Sequence, residues 1–158
     1  MNAKSARKLI VACAIALSGV AGAATGAVAE HVQAPRAQSD VKWPADDALR
    51  QGMMNIRAGV EESLPGIRAG QFRDEQYVAL GKAIETQIAY IVMNCKLEPA
   101  ADAALHDILG EFSSGIDLVT ARTAEGQRIH GVSHLVVALD NYGRHFEHAG
   151  WMPIKVVP

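Results

Sequence analysis

The chain has 158 residues, 49% of them apolar and 20% charged, with 15 lysines and arginines against 17 acids. That is one domain's worth of chain, too apolar for intrinsic disorder and too evenly charged for a polyanion binder, so nucleic acid is not an expected partner. Aromatic residues make up only 5%, which leaves Ala, Val, Leu and Ile to form the core and favours helices packed through small side chains.

Lys4, Arg7 and Lys8 precede an uncharged Ala/Val/Leu/Ile/Gly run that ends at Ala27-Val28-Ala29, a small-x-small cleavage pattern. Residues 1–29 therefore read as a secretory signal peptide, predicting a periplasmic or secreted protein with no membrane span after cleavage. Removing the segment leaves 12 bases against 17 acids, a net charge of −5, and one cysteine, Cys95. No internal disulfide is then available in an oxidising compartment. Cys95 is a small buried hydrophobe, half of an intermolecular bridge in a homodimer, or a soft metal ligand.

Residues 30–45, with Gln33, Pro35, Gln38, Ser39 and Pro44, lack periodicity and read as an extended lead-in, with order beginning near Trp43. From Asp46 the apolar positions Leu49, Met53, Ile56, Val60 and Leu64 recur every three or four residues, and the Asp46-Asp47 pair suits a helix N-terminus. Pro65-Gly66 is expected to stop or kink this first helix. Asp74-Glu75 opens a second, striped by Tyr77, Leu80, Ile84, Ile88, Ile91 and Cys95. Pro99 fits the first position of a third, where a missing amide hydrogen costs little; its stripe is Leu105, Ile108, Leu109, Phe112, Ile116 and Val119. A turn is expected at 123–126. The fourth helix carries Val132, Leu135, Val136, Leu139, Tyr142 and Phe146, and Gly150 with Pro153 closes it. No strand pattern competes. The expected fold is all-α: an up-down-up-down antiparallel four-helix bundle over 46–150, followed by a tail at 151–158.

That topology brings the start of helix one, the end of helix two, the start of helix three and the end of helix four to one pole. Met53, Met54, Met93, Cys95, His106, His145 and His148 collect there, with Trp151 and Met152 just beyond. Thioether, thiolate and imidazole together suit Cu(I) better than Zn(II). His130, His134, Asn141, His145 and His148 also share one face of helix four, roughly opposite its core stripe, and read as a solvated face whose His130/His134 and His145/His148 spacings permit adventitious Zn(II) or Ni(II) binding. His148 is the exception, because a fraying last turn can bend back over the pole. No Gly-x-Ser-x-Gly, Walker or dinucleotide loop is present, and no Cys-x-x-Cys-His for covalent haem. The Glu-x-x-His pairs of di-iron bundles are missing too.

Leu49-x-x-x-Met53 resembles the start, and Leu139 through Phe146 the final helix, of the soluble periplasmic b-type cytochromes. The resemblance implies an exported four-helix bundle holding haem b between a methionine of early helix one, here Met53, and a histidine of late helix four. Aligning Phe146 puts Glu147 at the ligand position and His148 one residue beyond it. The leading expectation is a non-enzymatic exported bundle that binds copper through Cys95, Met53, His106 and His148 for sequestration or delivery. The alternatives are a haem b electron carrier using Met53 and His148, and a structural bundle that docks a protein partner without any cofactor.

Overall fold

A stripe of apolar residues three and four apart becomes a helix in a folded chain when the stripe is covered and the helix ends are capped. The stripe is covered four times in the computed structural model, which describes residues 42–121 and 125–155. The signal segment, most of the lead-in, residues 122–124 of the expected third turn and 156–158 lie outside the described residues. The elements are β1 (Trp43–Pro44), α1 (Asp47–Arg68), α2 (Asp74–Asn94), α3 (Pro99–Thr120), α4 (Glu125–His145) and β2 (Phe146–Glu147). The fold is an all-α four-helix bundle.

Asp46 starts α1 from the N-cap position, accepting the Leu49 amide hydrogen at 2.8 Å. The helix does not stop at Pro65 as expected but runs on to Arg68. Pro65 and Glu61 are both exposed, so the Glu61 carbonyl that the proline leaves unpaired faces water, while Leu64 and Ile67 on the opposite side stay in the core. The stop comes at Gly70, whose φ of 63° turns the chain left-handed. Its amide hydrogen bonds the Ile67 carbonyl and that of Gln71 bonds Gly66, a Schellman closure. α2 is preceded by Arg73, whose amide donates to Gln76 Oε1 at 2.9 Å. Pro99 occupies the first turn of α3 as expected. α4 begins at Glu125, inside the segment expected to form the third turn.

The fourth helix also ends sooner than its stripe suggests. Phe146 leaves the helix, and Phe146–Glu147 pairs in parallel with Trp43–Pro44, with Trp43 opposite Phe146 and Pro44 opposite Glu147. This corrects the expectation that no strand forms: two-residue strands are too short to show alternation, and their pairing follows from the bundle bringing distant segments together.

The helices form a closed ring of neighbours in which α3 and α4 pack most extensively and α1 and α4 touch least. The thin seam between α1 and α4 is bridged by the chain after β2. Arg57 Nε of α1 donates to the Met152 carbonyl at 2.8 Å and Arg68 Nη2 to the Lys155 carbonyl at 3.2 Å. On this strap Ile154 is buried and Trp151 packs against the core. A single apolar cluster runs through the molecule, with Tyr77, Phe112, Tyr142 and Phe146 among its largest fully covered side chains. No described helix is long and apolar enough to cross a membrane.

Candidate functional site

Antiparallel helices place the α1 start, the α2 end, the α3 start and the α4 end together, and one carboxylate ties the start of α1 to the chain between α2 and α3. Asp46 caps α1 with Oδ1 and accepts the Lys96 amide hydrogen with Oδ2 at 2.6 Å, fixing the α2–α3 connection beside Cys95. Cys95 is the C-cap of α2, its amide bonded to the Ile91 carbonyl at 2.8 Å, and its thiol is free and half-buried at the core's edge. Burial, then the carboxylates of Asp46 and Asp102, push the thiol above its ordinary value of 9.0. The same negative field that disfavours a bare thiolate favours a cation next to it.

The other expected ligands are spread around this pole. Met53 is 0% exposed and fills the core one turn below Leu49. The His106 side chain is 67% exposed. Its Nδ1–H donates to the Asp102 carbonyl at 2.9 Å, since a carbonyl only accepts, so in the neutral ring Nε2 carries the lone pair. His148 bends back over the pole and sits half-buried, with Nδ1 2.8 Å from the Tyr142 hydroxyl. Burial first and the Arg50 cation second hold its imidazole below the ordinary 6.5, so it is neutral near pH 7. The contact with Tyr142 suits either tautomer. The hydroxyl donates to a bare Nδ1, or Nδ1–H donates to the phenol oxygen and frees the Nε2 lone pair. Among the described residues no three of His, Cys, Asp and Glu stand close enough to hold a metal ion. The structure thus brings Cys95 to Asp46 and Asp102, and His106 to Asp102, without gathering Cys95, His106 and His148 into one preformed shell.

Next to His148 lies a cleft of about 390 Å³ between the end of α4 and the strap, lined by Lys42, Asp140, Gly143, Arg144, His148 and Trp151 among others. Lys42 Nζ reaches the Gly143 carbonyl, where a cation complements the C-terminal end of the helix. Trp151 lies flat enough on α4 that a Cβ on Gly143 would fall 2.4 Å from its Nε1, so the strap needs glycine there. The Trp151 indole stands edge-on to Tyr142 at 4.7 Å and tilted against His148 at 5.1 Å. Asp140 Oδ1 and Trp151 Nε1 are buried in this region without a hydrogen-bond partner. The sequence singled out Trp151 only for its place in the chain and missed Asp46, Tyr142, Asp140 and Gly143 as builders of the pole. A glycine one turn before the end of a helix is the signal that marks a side chain crossing there.

The opposite pole is held differently. Arg128, 7% exposed, forms a two-pronged ion pair with Asp74 in the first turn of α2 and stands over the Tyr77 ring at 5.6 Å. Phe72 meets Tyr77 edge-on at 4.8 Å. No protein-family model, curated protein or solved structure matches the chain.

Proposed function

We propose that the protein is an exported, non-enzymatic helical bundle that takes up a soft metal ion, Cu(I) first, at the pole holding Cys95. The observation that carries this reading is the position of the thiol: half-exposed, at a helix end, in the joint negative field of Asp46 and Asp102. An incoming cation is drawn by that field and compensates the thiolate that the apo protein disfavours. The neutral imidazole of His148 and the bare Nε2 of His106 are the nitrogen donors within the same pole, and Met53 is the thioether beneath it. Because the donors do not stand preassembled, the ion closes the site around itself, which suits sequestration or delivery better than turnover. Competitive titration with a chromogenic Cu(I) chelator tests this. Wild type should bind one Cu(I) and Cys95→Ser should lose at least about tenfold in affinity, as for loss of an anchoring group at a metal site; equal affinities reject the site.

A second reading, a protein-docking bundle, is favoured by the last turns of α2, where Tyr90, Val92 and Met93 are 39%, 60% and 79% exposed. Native purification without metal, together with an unchanged apo fold, supports it over the first. Haem b between Met53 and His148 requires the strap to leave the α1–α4 seam, and a Soret band on purification decides it directly.

A further inference from the structure

Residues four apart on a helix project from the same face, so a His-x-x-x-His spacing offers two imidazoles to one ligand only when their rotamers converge. On the outer face of α4 they do. His130 and His134 point their Nε2 atoms at each other across 3.2 Å, with ring centroids 4.7 Å apart and ring planes at 89°. At a zinc–nitrogen bond of about 2.05 Å, that separation subtends about 103° at the metal, close to a tetrahedral angle. His130 is exposed and His134 half-buried, and the Ser133 hydroxyl between them in the chain is engaged with the Ile129 carbonyl.

We propose that His130 and His134 form a preformed two-nitrogen chelate for a borderline divalent cation, with Zn(II) as the fitting geometry. No third His, Cys, Asp or Glu joins them among the described residues, so water completes the coordination shell. The contact in the metal-free chain is a hydrogen bond in which one Nε2–H donates to the other Nε2. For binding, the donor ring shifts its hydrogen from Nε2 to Nδ1, with water carrying the proton, so that both Nε2 lone pairs face the ion; the side chains already stand together, so little rotamer freedom remains to be lost. The site differs in ligand softness and in location from the Cys95 pole, and it stands or falls separately.

Calorimetric titration of Zn(II) at pH 7.5 into full-length Cys95→Ser protein tests it without the thiol. One zinc per chain should be bound. His130→Asn and His134→Asn should each abolish that event, since one imidazole is not a chelate, whereas His145→Asn, an exposed histidine of the same helix outside both proposed ligand sets, should leave it unchanged. Far-UV circular dichroism confirms that these substitutions keep the helices, and Zn(II) should raise the melting temperature of the parent but of neither pair variant. Retention of the isotherm in either pair variant overturns the proposal and marks the binding as adventitious, as does its loss in His145→Asn.

Discussion

Each end of the bundle is organised by a fully buried tyrosine, and the two are used in opposite ways. Tyr77 lies beneath the Arg128–Asp74 ion pair and edge-on to Phe72, in a corner closed by charge pairing and by the Schellman turn after α1. Tyr142 stacks on Phe146 and spends its hydroxyl on His148, beside a cleft, a free thiol and two buried polar atoms without partners. One end is closed by an ion pair and by ring contacts between its own side chains, which tie α2 to α4. The other carries a cleft, a half-exposed thiol and an imidazole, the groups on which the proposed binding rests.

The contrast breaks most sharply at the tyrosines. Tyr77→Ala should cost about 4 kcal/mol in urea unfolding, the range for deleting a buried aromatic ring, whereas Tyr142→Phe should cost only about 1 kcal/mol, the worth of one hydrogen bond. Next comes Asp74→Ala, which strands a guanidinium that is 7% exposed. A fully buried broken pair costs more, but the Asp74 side chain is 71% exposed, so about 2 kcal/mol is expected. Asp46→Ala should cost about 1.5 kcal/mol through the lost N-cap and the lost Lys96 bond. It should also speed exchange of the Cys95 thiolate with a disulfide reagent at pH 8, which forms a mixed disulfide and releases the reagent's thiolate, because one of the carboxylates that raise the thiol is gone; an unchanged rate would separate Asp46 from the thiol.

The smallest effect is a pH dependence. The His148 imidazole has a lower pKa folded than its ordinary 6.5, so the unfolded chain takes up the proton first. Its contribution is constant above about pH 7, and stability falls as pH drops from 6.5 towards the lower folded value. Urea midpoints for wild type and His148→Gln from pH 8 to pH 5 should converge at the acid end. Parallel curves would mean that His148 is solvated and that the two ends are more alike than their tyrosines suggest.

The helices were legible because their stripes are long: Leu49 to Leu64, Leu105 to Val119 and Val132 to Tyr142 keep one period over many turns and are buried as that period requires. Pro65 misled because its effect depends on which side of the helix it faces, and the two-residue strands left no pattern to read. At the pole, the topology indicated which chain segments meet. The stripe placed Met53 in the core, where it lies, but nothing indicated that His106 is tied to Asp102 or that Asp46 serves two elements at once. Those outcomes depend on rotamers and on tertiary hydrogen bonds, which spacing does not encode. The His130/His134 spacing was visible, but the convergence of the two rings required coordinates.

The indole of Trp151 rests on Gly143 with the phenol of Tyr142 and the imidazole of His148 against its faces and edges. An imidazolium drains an excited indole far more efficiently than a neutral imidazole does. With Trp43 replaced by phenylalanine, the emission of Trp151 should therefore report protonation of His148 at that pole without any attached dye.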